Sequence, residues 1–358
     1  MSFKNQYTFL DKLLHRISFV SGSAQVGISD IEDKIYAEKL KNVIPSKPLF
    51  ITALPRAGTT VLLNLLVSTG QFASHTYRDM PFVFCPMIWQ RFSTMFQKDV
   101  ESRERAHGDG LNISSESPEA FEEMLWKLFW KDNYKRDRIE LWKDCNDLHF
   151  VDFVKSHMRK IVALRFPQGG HQRYASKNNL NVARLQLLPR IFPDSLVIIP
   201  FREPMQHAMS LHQQHLRFLE MHKLDRFSVH YMKGIGHFDF GENLLPINFD
   251  NWLNKDRRND ATNLQFWVEY WIAAYSHILN QTSETMHLLS YSSLVKKPVH
   301  SLERLASVVG LADARLLTSQ VETLRSPREY EIDVASIPLD LLDKAQDLYL
   351  KLQKRSII

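Results

Sequence analysis

The stretch Leu49-Phe50-Ile51-Thr52-Ala53-Leu54, closed by Pro55 and followed at once by Arg56-Ala57-Gly58-Thr59-Thr60, constrains the fold more than any other part of the chain. A short apolar run with β-branched residues, bounded by prolines, is the pattern of a strand buried on both faces, as in parallel sheets. From Thr59 to Val67 the leucines return at helical spacing. Strand, tight glycine loop and helix in that order make a site for anions. The N–H groups of the first helical turn have no partner inside the helix, and the helix dipole favours negative charge there. Gly58 permits close backbone approach, Thr59 and Thr60 offer hydroxyls, and Arg56 offers a fork of donors. The glycine spacing is too short for a Walker A loop and no lysine precedes Thr59. This disfavours an ATP-using P-loop kinase while leaving a distant relationship in fold open.

A second unit of the same kind follows. Residues 181–191, with Val182, Leu185, Leu188 and Ile191, read as a helix, Pro193-Asp194 as a turn and Leu196–Ile199 as a second buried strand. That strand stops at Pro200, and Arg202-Glu203-Pro204 leads into a helix carrying Met205, Met209, Leu211, Leu216 and Phe218. Residues 287–291 read as a further strand, and helices are expected at 5–20, 29–42, 298–309 and 338–353. Such alternation predicts an α/β, P-loop-like fold of three layers, a central parallel sheet flanked by helices. The whole of 1–358 reads as one domain. Its parts are N-terminal helices (1–47), the first strand unit (48–70), a helical insertion rich in aromatics and without clear strands (75–165), the second strand unit (172–220), a long loop or lid (232–260) and C-terminal helices (261–358).

Charge and composition narrow the class. Lys and Arg number 45 against 40 Asp and Glu, a mild excess that suits anionic ligands. No Lys/Arg cluster sits on one element, so nucleic acid is not an expected partner. Cys85 and Cys145 are the only cysteines, too few for a disulfide framework, which suggests free thiols in a reducing compartment. Charges at Lys4, Asp11, Lys12 and Arg16 break any signal-peptide pattern, and no apolar run reaches the roughly 18 residues of a membrane span. A cytoplasmic location is the expectation. Residues 6–20 form an amphipathic pattern, read as a helix packed on its own domain, with weak contact to a membrane surface as the alternative.

Pro55-Arg56-Ala57-Gly58-Thr59-Thr60 resembles the 5′-phosphosulfate loop of PAPS-dependent sulfotransferases, usually Pro-Lys/Arg-Ser-Gly-Thr-Thr (PAPS is 3′-phosphoadenosine 5′-phosphosulfate). The segment from Pro193 to Pro204 resembles the family's second strand, which ends in an Arg-x-Pro turn, and Ser210 follows six residues later. Tyr291-Ser292-Ser293-Leu294-Val295-Lys296-Lys297-Pro298 is similar to the family's Tyr-Glu-Asp-Leu-x-x-x-Pro segment, with serines replacing both acids. The pattern is closest to bacterial sulfotransferases and to the tyrosylprotein and carbohydrate branches. The resemblance implies transfer of a sulfuryl group from PAPS to a hydroxyl of a carbohydrate, lipid or small molecule, leaving PAP and needing no metal. It carries Arg56, Ala57, Gly58, Thr59 and Thr60 over to the phosphosulfate, and Arg202 and Ser210 to the 3′-phosphate. Arg325, in Arg325-Ser326-Pro327-Arg328, falls where the family closes a basic loop on that phosphate, with a surface turn as the alternative. A P-loop nucleotide kinase and a non-catalytic nucleotide-binding protein remain the competing readings.

Sulfuryl transfer needs positioning and charge stabilisation more than covalent catalysis. Arg56 and the loop N–H groups face the transferring group. Lys177, in Tyr174-Ala175-Ser176-Lys177-Asn178-Asn179, resembles the catalytic cation of the tyrosylprotein branch. Two residues compete as base: His107, followed by Gly108 and Gly110 in a loop-like segment, and Asp79, at the position of a family glutamate. Neutral histidine is the better base near pH 7. Glu119, Glu122 and Glu123 are further candidates for the base, but read rather as helix-dipole partners in a helix capped by Ser117 and opened by Pro118. The oligomeric state is not legible.

Overall fold

Leu49–Ile51 forms strand β1, every residue of it buried, in a computed structural model that describes residues 9–96, 103–104, 112–113, 116–144, 147–169, 173–254, 260–281 and 283–358. The further strands are β2 (Phe72–Ala73), β3 (Arg103–Glu104), β4 (Asn112–Ile113), β5 (Arg173–Lys177), β6 (Leu196–Phe201) and β7 (Met286–Ser290). Five of them make an all-parallel sheet in the order β2-β5-β1-β6-β7. In its centre Phe50 stands between Ser176 and Val197. The pair β3–β4 is antiparallel and separate from this sheet, inside the stretch expected to be a helical insertion.

Because strand side chains alternate between faces, the sheet divides the core in two. Leu49, Ile51, Ala175, Ile198 and Leu289 pack with leucines of α4 (Thr59–Val67), which follows α1 (Phe9–Val20), α2 (Gly22–Ile35) and α3 (Ala37–Leu40). Phe50, Tyr174, Val197 and Ile199 face the other side. There the cover comes from α7 (Leu148–Arg165), preceded by α5 (Pro86–Phe96) and α6 (Glu123–Phe129), and from α8 (Leu188–Ile191), α9 (Pro204–Leu224), which is followed by α10 (Arg226–Ile235), and α11 (Leu264–Gln281). The chain ends with α12 (Tyr291–Lys296), α13 (Pro298–Val309) and α14 (Arg315–Thr318) on the α4 side and α15 (Leu339–Arg355) beside α11. This is the three-layer α/β architecture with a central parallel sheet.

Several boundaries differ from expectation for identifiable reasons. The ladder of β1 ends at Ile51 rather than Leu54, because the chain turns into the Pro55 loop. β6 runs through Pro200 to Phe201. Beyond Ile198 its registered partner is β7 alone, so Pro200 is tolerated where one side of the ladder has ended. β5 was hidden by its own polar residues, Ser176 and Lys177. α7 packs on β5 and β2, so the second half of the expected insertion is a structural layer of the domain. The expected lid at 232–260 instead buries Phe238, Phe240, Ile247 and Phe249, and the Gly241 N–H donates to His215 Nδ1 at 3.1 Å. Its residues 255–259 lie outside the described residues. α1 packs against α10, with His15 edge-on to Tyr231 and Lys12 over the Phe227 ring. Among the described residues no helix is long and apolar enough to cross a membrane.

Candidate active site

The loop after β1 is held in a shape that few residues adopt. Arg56 has φ 68° and Gly58 φ 101°, both in the left-handed region that favours glycine. At Gly58 the missing side chain also makes room for the Tyr291 ring, which lies against it at the start of α12. α4 begins at Thr59, and its N-cap residue is Gly58, which has no side chain to cap the first turn. The loop is fixed from behind by His207, whose Nε2–H donates to the Pro55 carbonyl at 2.7 Å. Its Nδ1 accepts from Trp271 Nε1–H at 3.2 Å, so both ring nitrogens are committed. Burial pushes this imidazole down to about 3, which keeps it neutral.

The second motif arrives at the same place. Arg202, at the end of β6, donates from Nη1 to the Arg56 carbonyl at 3.0 Å. Arg56 Nε in turn donates to Ser210 Oγ at 3.4 Å. Burial, and then the nearby Arg56 charge, lower the Arg202 pKa. Glu203 caps α9 by accepting from the Met205 and Gln206 N–H groups, which aims the Ser210 face of that helix at the loop. Arg325 and Arg328 belong to a segment tied down by Tyr291, whose hydroxyl donates to the Arg325 carbonyl, and by Gln206, which bonds the Tyr330 backbone twice.

These groups line one cleft of about 870 Å³. Of the residues expected from sequence, Arg56, Gly58, Thr59, Thr60, Lys177, Arg202, Ser210 and Arg325 all face it. Ala57 does not; its side chain is buried in the core, so it can offer only backbone. Lys177, at the end of β5, places Nζ 3.7 Å from Glu119 Oε1. His107 lies outside the described residues.

Asp79 is corrected by its surroundings. It is 2% exposed and takes no part in lining the cleft. Burial alone would raise its pKa, but Arg165 and His75 outweigh that and hold it far below the usual carboxylate range. Arg165 Nη2 stands 2.6 Å from each carboxylate oxygen, and the Thr76 N–H donates at 3.0 Å. A carboxylate so satisfied is a structural anchor with no affinity to spare for a substrate proton. The three glutamates are corrected too. The helix starts at Glu123, not after Ser117. Glu122 accepts from Ser176, Asn181 and Trp126, Glu123 pairs with buried Arg184, and Glu119 accepts from Tyr77 at 2.6 Å.

Residues with no motif complete the site. Thr59 Oγ1 donates to Asn179 Oδ1 at 3.3 Å, and Asn179 Nδ2 donates to Asp239 Oδ2 at 3.4 Å. His237 Nε2 stands 3.7 Å from that same oxygen. The His237 ring lines the cleft with its side chain 16% exposed, stacked on Phe218 at 5.5 Å and 10°. Burial lowers its pKa, with Asp239 opposing and the Lys177 charge assisting. Asn179 was signalled only by its nearness to Lys177, and His237 was one of 15 histidines without a pattern around it.

The sulfotransferase family model matches residues 48–236, more than half of the chain and both strand units of the cleft. The chain therefore belongs to the sulfotransferase family. No curated protein matches its sequence. Among solved structures it is similar to the sulfotransferase STF9 from Mycobacterium avium, at 14% identity over 91% of this chain and 81% of that one, with a TM-score of 0.48. It is likewise similar to the sulfotransferase STF1 from Mycobacterium tuberculosis, at 14% identity over 88% and 80%, with a TM-score of 0.43. A sulfotransferase from Alicyclobacillus acidocaldarius matches at 12% identity over 86% and 93%, with a TM-score of 0.37.

Proposed function

We propose that the chain moves a sulfuryl group from PAPS to an acceptor hydroxyl, with PAP as the product. The observation that carries this reading is the direct contact between the two motifs: Arg202 on the Arg56 carbonyl and Arg56 on Ser210. One anionic donor with phosphates at both ends would meet both. Among the described residues the cations Arg56, Lys177, Arg202, Arg217, Arg325 and Arg328 line the cleft beside one acidic residue, Glu322, a balance suited to a multiply charged donor.

In the reaction the acceptor oxygen attacks sulfur in line with the bridging oxygen. A new S–O bond forms as the S–O bond to the 5′-phosphate breaks, and the electron pair leaves with PAP. Arg56, Lys177 and the first N–H groups of α4 stabilise that leaving charge. The acceptor proton goes to the His237 imidazole, which its lowered pKa keeps neutral at pH 7. His237 is favoured as the base because it stands in the cleft, joined to Thr59 through Asp239 and Asn179.

Calorimetry with PAP tests the donor reading. The wild-type chain should bind PAP, and Arg202→Ala should weaken binding roughly 10- to 150-fold, the span of a lost charge-assisted hydrogen bond. No PAP binding by the wild type, or equal binding by the variant, would overturn it.

A further inference from the structure

The donor reading leaves one part of the cleft without a role. Past Ser210 on α9, Gln214 and Arg217 also line it. At positions i, i+4 and i+7 these three share one face of the helix. Gln214 is 6% exposed, and its Nε2 has no hydrogen-bond partner among the described residues. A buried amide donor left unpaired is costly, and such groups in native structures point to a missing partner. Arg217, one turn further on, is exposed at the cleft wall.

The direction of α9 says which end this is. Ser210, the proposed contact of the 3′-phosphate, marks the nucleotide end. Seven residues along a helix advance about 10 Å, and the next residue, Phe218, is the one stacked on His237. The turn bearing Arg217 thus adjoins the proposed base, on the far side of the transferring group from the nucleotide.

We infer that Gln214 and Arg217 form an acceptor subsite for an anionic group, so that the natural acceptor is a hydroxyl compound carrying its own carboxylate, sulfate or phosphate. A guanidinium fork matches such oxyanions, and the Gln214 amide supplies a further donor. The hydroxyl of the same molecule is then presented to His237. This rests on the sulfuryl-transfer reading, which PAP binding tests by itself.

The experiment measures transfer from radiolabelled PAPS to acceptors in matched pairs: p-nitrophenyl glucuronide with p-nitrophenyl glucoside, 4-hydroxyphenylacetate with its amide, and galactose 6-phosphate with galactose. The anionic member should be preferred by about ten-fold or more in kcat/KM, the worth of a charge-assisted bond. Arg217→Gln and Gln214→Leu should each reduce that preference while PAP affinity stays at the wild-type level. Equal or better use of the neutral members, transfer to no anionic member, or a preference that survives Arg217→Gln would overturn the inference. A chain that fails to bind PAP would instead sink the donor reading.

Discussion

Replacing Gly58 by alanine puts one methyl group into the most constrained point of the loop after β1. Two separate costs follow. An L residue at φ 101° is held in left-handed backbone, worth about 1–2 kcal/mol. The new Cβ would also overlap Cδ2 and Cε2 at the edge of the Tyr291 ring and stand 3.3 Å from Cγ. Overpacking of that kind costs about 1–3 kcal/mol. The sum, about 2–5 kcal/mol, can be absorbed in only two ways: by lower stability, or by moving the loop off the shape proposed to bind the donor. Both are measurable, the first by denaturant midpoint and the second by PAP calorimetry. If the loop yields, PAP affinity should fall by about ten-fold or more, since the backbone N–H groups must align with the anion. The double variant Gly58→Ala/Tyr291→Ala removes the overlap but not the backbone strain, and should recover the steric share alone. A Gly58→Ala chain with wild-type stability and wild-type PAP affinity would refute the argument that this loop is fixed by backbone shape and by Tyr291.

His237→Gln should lower kcat by about 10²–10⁴-fold, the usual worth of a general base, with PAP affinity retained; His107→Ala should not, and the opposite ranking would move the base to His107. The pH profile has a definite sign. Because burial lowers the His237 pKa from its ordinary 6.5, activity should persist as pH falls through 6.5 and be lost only below it. Asp79→Asn should destabilise the chain by about 3–5 kcal/mol, by leaving the Arg165 charge uncompensated in a buried setting, as read from a denaturant midpoint, with the catalytic pH profile of the folded fraction unchanged. An altered acid limb would return Asp79 to the mechanism.

What was legible in the sequence was whatever depends on local pattern. The apolar runs at Leu49 and Leu196 announced central parallel strands, and Arg56, Gly58, Thr59 and Thr60 announced an anion loop because glycine, hydroxyls and guanidinium fall together at a helix start. The edge strand β2 has two residues and β5 carries Ser176 and Lys177, so neither shows a clean apolar period. Asp79 was misread because its sequence position matches a family carboxylate, while its environment is set by Arg165 and His75, which spacing does not reveal. His237 was missed for the complementary reason. The role proposed for it depends on Asp239, Asn179 and Phe218, which tertiary structure alone brings to one point.

The order of the motifs along the chain acquires a physical reason from the contacts behind the loop. Arg56 sits at φ 68°, a conformation that a non-glycine residue keeps only when its surroundings over-determine it. Three separate parts of the fold do so. His207 of α9 takes the Pro55 carbonyl, Arg202 at the end of β6 takes the Arg56 carbonyl, and Tyr291 at the end of β7 packs on Gly58. β1, β6 and β7 are neighbours in the sheet, so parallel pairing delivers their C-terminal ends to one edge, where a ligand crevice of an α/β fold is expected. Arg202 therefore does two things at once. It bonds the carbonyl of the strained loop and it also lines the cleft. Lysine, with a single ammonium on a flexible stem, cannot replace that fork. The degenerate Tyr291 segment likewise keeps the one feature this geometry uses, an aromatic ring over a residue without a side chain, while Ser292 and Ser293 stand where the related motif has acids.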